Sequence, residues 1–179
     1  MFNFFRKRSD GPQVTDAVFI STAAKYQVML DEWEKNKSII YIFWFDDSLN
    51  EATTYFSTAT TEEVVLLLAR QTTFQQLSGK IPVFAEHYPL ETKEQSFYEK
   101  MNLKQVKVYS ALNEPLYKQF GADKIVELMR KLGMKEDEAI EHNMISTSIK
   151  KAQKKIEKNI VFEQTAHSQS DWLQKNYKP

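Results

Sequence analysis

Residues 38–45 read S-I-I-Y-I-F-W-F, and the run from Ile39 to Trp44 is apolar on both faces of an extended chain. A strand with one wet face alternates apolar and polar residues, whereas one covered on both sides by helices stays apolar throughout, as in a parallel sheet. The run therefore predicts a central, doubly covered strand. Asp46, Asp47 and Ser48 end it, and Ser48-x-x-Glu51 predicts a capping box that opens a helix to about Phe56. Upstream, Ala17–Ser21 reads as a short edge strand and 23–36 as a helix with Ala24, Val28, Leu30 and Trp33 near helical spacing.

Downstream the same alternation continues. Glu63–Ala69 is a second apolar strand, Thr73–Leu77 a short helix, and Gly79 and Pro82 punctuate the chain before a strand at Val83–Glu86. Thr92–Met101 reads as a helix and Gln105–Tyr109 as the last strand. Strands separated by helical segments make βαβ units, so the expected body is an α/β domain. It has a parallel sheet of four to five strands flanked by helices, with right-handed crossovers.

Beyond Asn113 the pattern turns helical. A first helix to about Phe120 is closed by Gly121, and a second carries Ile125, Leu128, Met129 and Leu132 before Gly133. Asn143 is the expected N-cap of a longer helix on which Ile145, Ile149, Ala152 and Ile156 recur one turn apart between serines and lysines.

Composition narrows the function classes. With 179 residues, 42% of them hydrophobic and 13% aromatic, the chain can bury one sizeable core. Its 24 basic and 24 acidic residues cancel, which argues against work based on non-specific nucleic-acid or anionic-membrane binding. Without cysteine there is no disulfide, thiolate metal site or cysteine nucleophile, which fits a reducing cytoplasm. The start, M-F-N-F-F-R-K-R, has no apolar h-region, and the chain has no 18-residue apolar run, so neither a signal peptide nor a membrane span is expected. Residues 1–16 read as a tail, with a membrane-surface contact by Phe2, Phe4 and Phe5 beside Arg6, Lys7 and Arg8 as the lesser reading.

The wording of the helical stretch resembles a family, the bacterial preprotein translocase motor SecA, where its second motor domain passes into its helical scaffold. Phe120-Gly121-Ala122-Asp123-Lys124-Ile125, Leu132-Gly133-Met134, Glu138-Ala139-Ile140-Glu141-His142, Ile145, Ile149, Ala152-Gln153-Lys154-Lys155-Ile156-Glu157, Asn159 and Phe162 carry the resemblance. Weaker likeness lies at Ser21–Glu32 and at Val108–Leu116. The resemblance implies a RecA-like α/β domain over 17–112 and a helical extension over 113–179.

The chemistry implied by that family is missing here. Its second motor domain serves ATP hydrolysis through the segments G-R-G-T-D and Q-L-R-G-R-x-G-R-Q-G, whose glycine amides and arginines meet phosphate charge. This chain has four glycines (11, 79, 121 and 133) and four arginines (6, 8, 70 and 130), and Glu86–Gln95 stands in the arginine segment's place. A Walker A pattern is absent as well. No catalytic, cofactor-binding or metal-binding residue is therefore assigned, and no cofactor is expected.

Weaker constellations stay as alternatives. Asp46 and Asp47 read as helix-start residues, or as paired carboxylates at a strand end. His87, between Glu86 and Glu91, reads as a solvated loop histidine, or as an acid/base group of a small α/β enzyme. His142 reads as structural and His167 falls outside the resemblance; the three histidines lack metal-ligand spacing. Lys150, Lys151, Lys154, Lys155 and Lys158 read as a solvated face, with a helicase-like nucleic-acid contact as the alternative. The expected function is a non-catalytic SecA-like motor-2 domain, a protein-binding or regulatory module in the cytoplasm. Its expected partners are the translocation machinery, or a second copy through 160–177. No nucleic acid and no stable membrane insertion are expected.

Overall fold

A computed structural model describes residues 11–131, 133, 135 and 138–178, and for 123, 124 and 128–130 the backbone alone. Phe2, Phe4, Phe5 and Arg6 to Arg8, like the side chains of Leu128, Met129, Leu132 and Met134, lie outside the described residues.

The apolar run forms β2 (Ile39–Phe43), buried at all five positions. With β1 (Gln13–Phe19), β3 (Leu66–Leu68), β4 (Ile81–Phe84) and β5 (Gln105–Ala111) it builds one all-parallel sheet in the order β1-β5-β4-β2-β3. The α/β class, the parallel sense and the edge position of β1 are as expected, and the open sheet flanked by helices is consistent with a RecA-like fold. The middle place, however, belongs to β4 rather than to β2. Burial on both faces reports that helices cover a strand, not where it sits among its neighbours.

Alternate residues of β2 feed opposite cores. Ile39, Tyr41 and Phe43 pack with Tyr26, Met29 and Trp33 of α1 (Thr22–Lys35) and Phe56 of α2 (Asp46–Ala59). Ile40 and Ile42 pack with Leu77 of α3 (Phe74–Leu77) and Tyr98 of α4 (Glu91–Lys100). Ser21 caps α1 by accepting from the Ala24 amide, and Thr73 with Gln76 forms a capping box on α3. The capping box read at Ser48 does not form. Helix α2 begins three residues earlier, with Phe45 at its N-cap and no side-chain cap bond, and the Ser48 hydroxyl turns to Glu86 instead.

The extension forms short α5 (Pro115–Lys118), α6 (Ala122–Lys131), α7 (Asn143–Glu157) and α8 (Gln169–Asn176). Gly121 and Gly133 adopt φ of +79° and +81°, the left-handed turns read for them. The N-cap of α7 is His142, one residue before the expected Asn143, and its ring Nδ1 accepts from the Met144 amide. Ile149 and Ile156 are buried as the stripe predicts, and Ile140 bridges Val18 antiparallel at the edge of β1. The segment 160–177, read as a surface for a second copy, folds back on its own chain. Trp172, Leu173 and Tyr177 pack on Phe45, Leu90, Leu116 and Ile156, while Val161 and Phe162 stay exposed. Among the described residues no helix is long and apolar enough to cross a membrane.

Candidate functional site

The chain steps outward from β1 to β2 to β3 and then returns to β4 and β5, so its direction reverses between β2 and β4. Open α/β sheets bind ligands in the crevice outside the carboxyl ends of the strands at such a reversal. Here that crevice receives Trp44 and Phe45 from the end of β2, and Ala85, Glu86 and His87 from the end of β4.

Glu86 closes the gap between the two strands. Its Oε1 accepts from the Trp44 and Phe45 amides at 2.9 and 3.0 Å, and its Oε2 accepts from the Ser48 hydroxyl at 2.7 Å. Burial, reinforced by the nearby Glu114 carboxylate, pushes its pKa up to about 7 against the pull of those donors. Beside it Lys25, 3% exposed, reaches across from α1 and donates to the Ala85 carbonyl and to Glu114 Oε1, both at 2.6 Å. Glu114 Oε1 also accepts from the Ala111 amide. These groups line a cleft of about 300 Å³ together with Tyr26, Asp47, Ser48, Glu51 and the Ser168–Ser170 start of α8.

His87 is no solvated loop histidine: it is 2% exposed. Its Nδ1 lies 3.0 Å from Glu94 Oε1 and its Nε2 3.0 Å from Asp16 Oδ1. Burial alone would push the imidazole pKa down, but the two carboxylates more than reverse this and raise it to about 10, so the ring is an imidazolium at neutral pH. With both nitrogens engaged and no solvent access, it has nothing left for acid/base chemistry. The cluster is a clamp. Gln153 of α7 donates to Glu94 Oε2 and to the Tyr88 carbonyl, and Gln169 of α8 donates to the His87 carbonyl while accepting from the Leu116 amide. The stretch 86–95 is thus spent on internal pairing between the sheet and its extension.

Asp46 and Asp47 stand in the first turn of α2, where the helix dipole favours carboxylates, and do not converge. Asp46 is gripped by Arg70 through two hydrogen bonds of 2.8 and 2.5 Å and lies 3.2 Å from His167 Nδ1. Arg70 above all holds its pKa down to about 2. Asp47 faces the cleft. No group of three or more metal-ligating side chains with suitable geometry occurs among the described residues. Lys151, Lys154, Lys155 and Lys158 are exposed and Lys150 is half-buried, with Lys154 3.5 Å from Glu91, so the lysine stripe is largely a solvated face.

Sequence reading missed Asp16, Lys25, Glu94, Glu114, Gln153 and Gln169. His87 and Glu94 are near in sequence, but Lys25–Glu114, Asp16–His87, Glu94–Gln153 and His87–Gln169 join residues 59 to 89 positions apart. One signal was legible: Lys25 interrupts the buried face Ala24, Tyr26, Met29, Leu30 and Trp33 of α1, a place where a lysine needs a partner. A second, apolar groove of about 360 Å³ opens between the end of β1 and the extension, lined among the described residues by Val18, Leu112, Tyr117, Phe120, Ile125, Ile145 and Ile149.

No protein-family model matches the chain. Part of it is similar to protein translocase subunits. One is SecA 1 of Alkaliphilus metalliredigens, 49% identical over 51 residues, covering 28% of this chain and 6% of that protein. Another is SecA of Acinetobacter baumannii, 51% identical over 49 residues. SecA of Acidithiobacillus ferrooxidans is 53% identical over 49 residues. The latter two matches cover 27% of this chain and 5% of each relative. The chain therefore carries a SecA-related segment, and it spans about a twentieth of the length of the curated relatives it matches.

Proposed function

We propose that this chain is a non-catalytic module, similar to the second motor domain of SecA with the entry to its helical scaffold, that binds a protein partner of the translocation machinery in the cytoplasm. The observation that carries the reading is the apolar groove. It is built largely from the extension that bears the densest resemblance to SecA, and Phe120 and Ile125 stand 38% and 42% exposed at its rim. Apolar surface open in this way marks an interaction site. The strand ends support the non-catalytic half of the reading. They gather Glu86, Glu114, Asp46 and Asp47, the buried Lys25 is consumed by Glu114, and Arg70 by Asp46. A triphosphate would meet carboxylates there in place of amides and free cations.

The test is binding of the full chain to purified SecA and to its membrane channel, with and without Phe120→Asp. Binding by the parent that the folded variant loses is the expected result, alongside ATP turnover no higher than buffer. Turnover that disappears in Glu86→Gln would overturn the reading and install the small-enzyme alternative, whose remaining support is the raised pKa of Glu86.

A further inference from the structure

The walls of the apolar groove limit what can lie in it. Its α7 wall runs from Ile145 through Ile149 to Ala152, two turns or about 10 Å. Tyr117, Phe120 and Ile125 face it from α5, the turn that follows and α6. At the floor the edge of β1 is already taken, because the Val18 amide donates to the Ile140 carbonyl at 3.2 Å and the Ile140 amide to the Val18 carbonyl at 2.8 Å. The helical walls satisfy their own amides and carbonyls away from their ends. An extended peptide laid here would bury backbone groups with nothing to pair them, whereas a helix brings its backbone bonds with it.

One bank of the groove is cationic. Met144, Ser148, Lys151 and Lys155 stand at i, i+4, i+7 and i+11 on α7 and so form one row along it. Ser148 lines the groove, which places the row at its edge, and the Lys155 ammonium lies 5.8 Å from the ring centre of Phe120. Lys151 and Lys155 are exposed, and among the described residues neither meets a carboxylate, whereas Lys154 on another face pairs with Glu91. A fatty acyl chain suits the apolar walls but carries its charge at one end, while these two cations repeat one turn apart along the groove. Resting on the reading that the groove receives a protein, we infer that its occupant is an amphipathic helix of the partner. That helix lays apolar residues at i, i+3 or i+4 and i+7 into the groove and sets carboxylates one turn apart against Lys151 and Lys155.

The probe is a fluorescein-labelled helical peptide of about 15 residues, roughly four turns, with leucines on one face and glutamates one turn apart along the adjoining flank. Its anisotropy is followed as the full chain is added at pH 7.5 and low ionic strength. Saturable binding is expected, about tenfold weaker when lysines replace the peptide's glutamates, because two exposed pairs each contribute a modest, screened attraction. In the double variant Lys151→Glu/Lys155→Glu, altered only at exposed positions, that preference should reverse. Phe120→Asp should abolish binding of either peptide, as should a proline at the peptide's centre. Absence of saturable binding overturns the inference, as does indifference to the peptide's charge. Equal binding of the proline peptide would show an extended occupant, and tighter competition by sodium dodecanoate an acyl chain; either overturns it too. If SecA or its channel binds through Phe120 while the glutamate peptide does not, the translocation reading stands and the helical occupant falls; the converse keeps the occupant and removes that partner.

Discussion

Replacing His87 by alanine is the perturbation with the most to say about how this fold is held. The ring bridges Asp16 of β1 and Glu94 of α4 through two contacts of 3.0 Å, and all three side chains are at most 4% exposed. Alanine would leave two buried carboxylates without the cation that bridges them, and breaking a buried pair by removing one partner costs about 3–5 kcal/mol. Against a total stability of roughly 5–15 kcal/mol this is a large fraction. For a chain of this size it corresponds to a fall in Tm of about 6–20 °C. The assay is urea unfolding at pH 7 followed by circular dichroism and by tryptophan fluorescence, repeated across pH. The folded imidazole pKa of about 10 exceeds the ordinary value of 6.5. The stabilisation is therefore fully present below pH 6.5 and is lost as pH rises toward and through 10. The parent should weaken across that window, and His87→Ala should lack the decline. A loss under 1 kcal/mol at pH 7, or identical pH dependence in parent and variant, would refute the clamp.

Three further outcomes are expected. Trp172, fully buried and donating through Nε1 to Glu163 at 2.9 Å, anchors α8; Trp172→Ala should cost about 3–5 kcal/mol in the same denaturation assay and expose 160–178 to limited proteolysis. Glu86 holds its proton to a higher pH folded than unfolded, so the parent should lose on the order of 3 kcal/mol between pH 4.5 and 7 while Glu86→Gln stays flat, as read by stability against pH. Phe162 is 81% exposed, and Phe162→Ser should change stability by less than about 0.5 kcal/mol in thermal melts.

Much of the architecture was written in local pattern. The doubly apolar run at 39–44 demanded helices on both sides, and the alternation of strand and helix around it demanded a parallel sheet; both are present. Glycines 121 and 133 announced their left-handed turns, and the stripe Ile149 to Ile156 its buried face. These are properties of a few consecutive residues, set by sterics and by the period of the element. The clamp and the cleft are of another kind. Asp16, His87, Glu94, Gln153 and Gln169 come from five separate segments and meet only because the crossovers bring the middle of β1, the loop after β4, and α4, α7 and α8 to one place. A solvated histidine and a histidine held as a buried cation look alike in sequence, since what separates them is which carboxylates the fold delivers. The cover of Trp172 and Leu173 is likewise a tertiary matter, because an apolar helix specifies that it will be covered and not by what. The chain's own composition determined that a core, a parallel sheet and a helical extension would form; the tertiary structure alone decided which charges that sheet would bury together, because pairing energy depends on distances that no local stretch encodes.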